Sequence, residues 1–267
     1  MSAASSRWGD LRTRVISAGV MLAVGAAEIW LGGPTFRVLV LVLIAVMIWE
    51  LARMTAPAVT EQVNAAGLAV LAALGLFGTT ALSADFAVPF LLLPALSMAL
   101  TPRRDKILAV LAALAILIAG FGLVQLRETA GTPTILWLVG LVILSDVLGY
   151  FVGRTVGGPK FWPKISPKKT WSGTVAGWVG AAVWGGVFVI FADAPLGLVV
   201  LSALVAVAGQ LGDIGESWIK RRAGVKDSSN LIPGHGGVMD RFDALTGAVV
   251  AVVVLGLFLP LPLPPGP

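Results

Sequence analysis

The sequence predicts an all-α, polytopic integral membrane protein with about nine transmembrane helices and a cytoplasmic N-terminus. Three observations carry that prediction. Apolar residues make up 57% of the 267 residues and charged residues only 12%, with a mean hydropathy of +0.93, whereas soluble domains carry about 25% charge. Apolar windows able, or nearly able, to cross ~30 Å of hydrocarbon recur along the chain. The basic residues fall almost entirely on alternate connecting segments.

The first window, 15–31, is followed at once by a second, 36–52, so it reads as a retained span and not as a cleaved signal peptide. The third is 65–82. The fourth, 86–100, is short and contains Pro89 and Pro94, so it reads as broken or tilted. Windows 107–125, 134–152, 174–192, 196–212 and 246–264 complete the set, and the closing PLPLPPGP cannot be helical and ends the last span. With the N-terminus inside, the inner segments hold 17 of the 19 Lys and Arg residues and leave only Arg37 and Arg127 outside. The positive-inside rule then sets the orientation, with the C-terminus outside. The expected location is the inner (plasma) membrane, with the polar loops facing the cytoplasm.

The polar residues are unevenly placed. Residues 1–133 read as a transmembrane scaffold with short, plain loops, and 134–267 as a catalytic transmembrane region with two long inner loops, 153–173 and 213–245. There is no cysteine and one histidine, which excludes disulfides, thiolate chemistry and a multi-histidine zinc site. Any metal must be held mainly by oxygen.

The loop SWIKRRAGVKDSSNLIPGHGGVMDRFD, Ser217 to Asp243, is dense in both signs of charge. Lys220, Arg221, Arg222, Lys226 and Arg241 can neutralise phosphate oxygens, while Asp213, Asp227, Asp240 and Asp243 can hold a hard divalent cation. A magnesium polyphosphate needs both. If Asp240 opens the last helix, Asp243 lies one turn on along the same face, so both carboxylates reach one ion or two neighbouring ions. Gly234, Gly236 and Gly237 allow a sharp turn and deliver backbone N–H groups near a helix start, where an anion is favoured. His235 carries an imidazole, which can donate to a phosphate. A solvated topogenic loop would account for the basic residues but not for four aspartates beside them.

These residues resemble the signature of CDP-diacylglycerol synthases, or phosphatidate cytidylyltransferases. The match runs through Ser217, Lys220-Arg221, Lys226-Asp227, His235-Gly236-Gly237 and Asp240-Arg241-Phe242-Asp243, with spacing intact over 27 residues. The likeness extends over roughly 140–267. Ser145-Asp146 and Tyr150-Phe151-Val152-Gly153-Arg154 resemble a second family segment, although Val147 and Leu148 are bulkier than the residues expected there. Asp146 lies in an apolar stretch, where an ionisable group faces a bundle interior or aqueous cavity. Ser166-Pro167-Lys168-Lys169-Thr170 resembles the family's Ser-Pro-x-Lys-Thr segment, with Ser172 where an acidic or amide residue is common. Lys169 can bind a phosphate as a point charge, and Thr170 can offer its hydroxyl or cap the next helix.

The resemblance implies reaction of CTP with phosphatidic acid, giving CDP-diacylglycerol and pyrophosphate, with membrane lipid as a partner and no nucleic acid. It implies metal ligation by Asp227, Asp240 and Asp243 with Asp146 or Asp213, and phosphate binding by Lys220, Arg221, Lys226, Arg241 and Lys169. Ser217, Thr170, Gly236 and Gly237 join the substrate site, and Lys226 and His235 the catalytic set. The expected cofactor is Mg²⁺, as one ion or two; an additional monovalent ion and a homodimer are left open. Two other readings stand beside it: a CTP-dependent polyprenol kinase, and an ion-coupled transporter using Asp146 and Glu28. Glu28 and Glu50 otherwise read as structural hydrogen-bonding groups, with Glu50 within reach of the headgroup layer or of Arg53. Trp8, Trp30, Trp49, Trp162 and Trp171 read as interfacial anchors.

Overall fold

The computed structural model describes the backbone of residues 3–57, 61–81 and 87–266, and the side chains of 12–57, 64–79 and 89–266. Arg7 and Trp8 therefore lie outside the described side chains. Among the described residues there are nine helices, one on each apolar window: α1 (Ala3–Leu31), α2 (Gly33–Thr55), α3 (Glu61–Ala81), α4 (Ala87–Leu100), α5 (Lys106–Thr129), α6 (Gly131–Thr155), α7 (Trp171–Phe191), α8 (Gly197–Ala223) and α9 (Met239–Gly256). Six are long and apolar enough to cross a membrane: α1 over Arg12–Leu31, α2, α5, α6, α7 and α8. The chain is a multi-pass membrane protein. One feature adds to the expected helices: strands β1 (Lys160–Trp162) and β2 (Ser166–Thr170) pair antiparallel, with Lys160 opposite Thr170 and Trp162 opposite Ser166.

The chain forms two compact units, Met1–Ala113 with Ala223–Phe242, and Leu114–Arg222 with Asp243–Pro267. Ala223–Phe242, most of the signature loop, thus belongs with the N-terminal helices.

In the first unit, α2 buries Phe36, Val40, Ile44, Met47, Ile48 and Leu51, a stripe at helical spacing, and packs on α3, which buries Leu68, Ala72 and Leu76. Pro94 sits inside α4 and has no N–H to give the Phe90 carbonyl. Gly75 of α3 lies against that carbonyl; a Cβ there would stand 2.7 Å from Phe90 O. This helix of 14 residues is continuous through Pro94 and spans only about 21 Å. The buried Arg103 donates through Nη1 to Ala52 O and ties the α4–α5 connection to the end of α2.

In the second unit, the core is formed by Trp137, Leu138 and Leu141 of α6, Ala181 of α7, Leu198, Leu201 and Val205 of α8, and Ala248, Val249 and Val252 of α9. Apolar packing alone discriminates weakly in lipid, so helix pairs there are fixed by close small-residue contacts and internal hydrogen bonds. Trp137 Nε1 donates to Ser202 Oγ at 2.8 Å, Trp184 Nε1 to Trp137 O at 3.0 Å, and Trp178 Nε1 to Gln210 Oε1 at 3.0 Å. The last helix stops at Gly256, eight residues before the end of its apolar window. Leu261 and Leu263 of the proline-rich tail fold back onto the core, and Thr134 Oγ1 donates to Pro264 O at 3.4 Å.

Candidate active site

Near its C-terminal end, α8 places Asp213, Glu216, Ser217 and Lys220 at i, i+3, i+4 and i+7, which is a single helix face. Asp243, in α9, meets that face. One carboxylate oxygen from each of Asp213, Glu216 and Asp243 lies within 4.8 Å of the others. Two glycines make this approach possible. A Cβ on Gly212 would stand 2.5 Å from the Asp243 carbonyl oxygen and 3.0 Å from Gly247 Cα, so only paired glycines let α8 and α9 touch backbone to backbone beside the acids.

Basic groups balance two of the three carboxylates. Lys169 Nζ forms an ion pair with Asp213 Oδ2, and Lys220 Nζ lies 2.5 Å from Glu216 Oε2. Ser217 Oγ donates to Asp213 Oδ1 at 3.4 Å. Asp243 precedes the apolar window of its helix, and its carboxyl is pushed up to about 8. Burial is the main cause, the Asp213 charge adds to it, the Ala244 N–H opposes it, and Asp146 raises it further against Lys220. So enclosed a carboxyl wants a proton or a cation.

Lys169 is delivered by the hairpin. Strand β2 runs straight into α7, whose first turn is capped by Thr170: its Oγ1 accepts from Gly173 N at 3.3 Å. Edge contact between Phe161 and Trp171, with ring centroids 4.6 Å apart, holds the hairpin to the helix start. Asp146 sits on the exposed side of α6, and its charge is felt at Asp243.

The rest of the signature lies in the first unit. Ile232 N donates to Gly236 O at 2.8 Å and His235 N to Ile232 O at 2.9 Å, closing a tight turn. Gly234 and Gly236 have φ of 76° and 86°, the left-handed region that favours glycine. Asp240 Oδ2 accepts from Gly237 N (2.7 Å), Ser228 N (2.9 Å) and Ser228 Oγ (3.0 Å), a loop-and-cap role at the start of α9. Gly237 N–H is thereby engaged by protein. His235 is half-buried, with Nδ1 enclosed and, among the described residues, without a hydrogen-bond partner. Arg221, Lys226, Asp227 and Arg241 are exposed.

The structure therefore brings together Asp213, Asp243, Lys169, Lys220 and Ser217 from the expected set. It places Asp240, Gly236 and Gly237 in the loop's own hydrogen bonding and Thr170 in a helix cap. Two residues were given no place in the site by the sequence. Glu216 is the third carboxylate, and its spacing from Asp213 and Lys220 along one helix face was the available signal. Glu50, fully buried on α2, accepts from Val238 N and Met239 N and from the hydroxyls of Ser228 and Ser229. Arg53 does not pair with it in this arrangement but stacks over the Trp49 ring at 4.7 Å.

The chain is similar to the phosphatidate cytidylyltransferase of Brucella melitensis, 34% identical over 255 residues that cover 92% of this chain and 93% of the relative. Similarity to the Bacillus subtilis enzyme of the same name is 31% over 251 residues, covering 88% and 93%. To that of Haemophilus influenzae it is 44% over 126 residues, covering 45% of this chain and 44% of the relative. Residues 12–259 match the profile described as the Cytidylyltransferase family, so the match takes in the N-terminal helices as well as the signature, and the chain belongs to that family.

Proposed function

We propose that the protein transfers the cytidylyl group of CTP to phosphatidic acid, giving CDP-diacylglycerol and pyrophosphate. The observation that carries this reading is the group of three carboxylates within 4.8 Å of one another, flanked by two lysines, in a chain of this family. An all-oxygen donor set on two helices suits a hard divalent cation such as Mg²⁺. Asp213, Glu216 and Asp243 would hold it. When bound, such an ion supplies charge neutralisation and Lewis acidity to the triphosphate.

The side chains then have separable tasks. Lys169 and Lys220, each paired with a carboxylate in this structure, can be shared with phosphate oxygens and take up negative charge as pyrophosphate departs. A phosphatidate oxygen attacks the α-phosphorus, forming the new P–O bond as the bond to the leaving pyrophosphate breaks. The phosphate dianion is itself the nucleophile, so no side chain need form a covalent bond. His235 and the exposed Arg221, Lys226 and Arg241 supply further donors for the two polyanions. The acyl chains stay in the bilayer, so the site lies at a membrane surface, and the basic residues on alternate connecting segments favour the cytoplasmic one, with the N-terminus inside. Product analysis tests the proposal: purified protein given CTP and phosphatidic acid should form CDP-diacylglycerol and pyrophosphate. Release of CDP with a phosphorylated lipid would replace it by a kinase.

A further inference from the structure

We infer that Glu50, on α2, is a positioning residue for the transfer step, holding the signature loop and the first turn of α9 in their working arrangement. The inference rests on the cytidylyl-transfer reading for its kinetic readout only. Glu50 is 0% exposed, and a carboxylate so enclosed is costly unless its oxygens are met by donors. Its donors all come from the signature loop. Oε1 accepts from Ser229 Oγ at 2.6 Å and Val238 N at 2.9 Å; Oε2 accepts from Met239 N at 2.7 Å and Ser228 Oγ at 3.2 Å.

Two of these donors are backbone N–H groups at the start of α9, which have no partner within the helix and lie where the helix dipole favours negative charge. Glu50 therefore caps α9 from another helix. Ser228 Oγ is also 3.0 Å from Asp240 Oδ2, so one hydroxyl links the α2 carboxylate to the signature carboxylate. Gly237 shows how close the approach is. A Cβ there would stand 2.8 Å from Glu50 Cδ, so the second glycine of the HGG motif provides room for Glu50. The helix start that Glu50 fixes leads, one turn later, to Asp243.

The contact seats the loop on the scaffold, and an error in the start of α9 is carried along the helix to the ligand that follows. Loss of such supporting contacts costs about 10- to 100-fold in activity in comparable sites. Glu50→Gln keeps the shape but turns an N–H₂ group toward donors. The expected result is a kcat about 10- to 100-fold lower, with KM for CTP and for phosphatidate within about threefold of the parent. Glu50→Asp, one methylene short, should recover part of the rate. In hydrogen–deuterium exchange, the amides of Val238 and Met239 should exchange at least about tenfold faster in Glu50→Gln. An unchanged kcat, a loss confined to KM, or unchanged exchange at both amides would overturn the inference. If Glu50→Gln does not yield folded protein, Ser229→Ala removes one donor alone and should lower kcat several-fold at constant KM; an unchanged kcat again overturns it. Were the parent protein inactive toward CTP, the functional reading would fall, while the exchange comparison would still decide the role of Glu50.

Discussion

Lys169, at the end of the β-hairpin, is ion-paired with Asp213 on α8, so the two long polar loops of the sequence meet at one carboxylate. A carboxylate paired in this way is shared between a lysine and any incoming cation. Lysine and metal compete for Asp213, while lysine and metal cooperate in binding a triphosphate.

That relationship predicts opposite shifts in two constants. Lys169→Ala should raise KM for CTP and lower kcat/KM about 10- to 100-fold, because a phosphate ligand is lost. It should also lower the Mg²⁺ concentration needed for half-maximal rate, because a competing cation is gone. Initial rates over a grid of CTP and Mg²⁺ concentrations read both; a higher Mg²⁺ requirement would contradict the competition.

Asp243 predicts a proton linkage. Its carboxyl is raised to about 8, so in the metal-free protein it is largely protonated at pH 7. The sign follows: a raised acid favours the folded state below the ordinary carboxylate range, and that contribution is lost as pH rises through about 8. Divalent-ion binding requires the ionised form, so affinity should climb from pH 6 to about 8 and then level off. Titration calorimetry at pH 7 in buffers of different ionisation enthalpy should show about one proton released per ion in the parent and none in Asp243→Asn.

The α8–α9 contact predicts an asymmetry between neighbouring glycines. Gly212→Ala puts a methyl 2.5 Å from the Asp243 carbonyl oxygen, forcing the helices apart beside the acids. The change should cost about 1–3 kcal/mol and most of the activity. Gly215 has nothing within 4 Å of an added Cβ. Gly215→Ala should therefore be neutral or stabilising by up to about 1 kcal/mol, as expected in a helix interior. Melting temperature and specific activity of the two variants decide the matter; equal effects would count against the close crossing.

The helices were legible because each lies on an apolar window, and six of them satisfy the length and hydropathy that hydrocarbon demands. Hydropathy does not distinguish a helix from an extended apolar tail, which is why the window ending at 264 overruns α9 while Leu261 and Leu263 pack against the core. Strands β1 and β2 are short and lysine-bearing, without the long alternation that announces a sheet, so that segment read as loop. Within the site, charge type and spacing pointed to Asp213, Asp243, Lys169 and Lys220. Glu216, four residues before a lysine, has the spacing of an ordinary surface pair on a helix. Glu50 reads from sequence as a structural hydrogen-bonding group, but its partner Ser228 lies 178 positions along the chain, and nothing near Glu50 in sequence names it.

The most direct test of the central claim is pyrophosphate release from CTP by purified protein in phosphatidate-containing micelles, with Mg²⁺ or with excess EDTA, for the parent and Asp243→Asn. The parent should release pyrophosphate with Mg²⁺ only when phosphatidate is present and not in EDTA, and Asp243→Asn should lose at least about 10³-fold. Full activity in EDTA, or near-parental turnover by folded Asp243→Asn, would contradict a carboxylate-held divalent ion at this site.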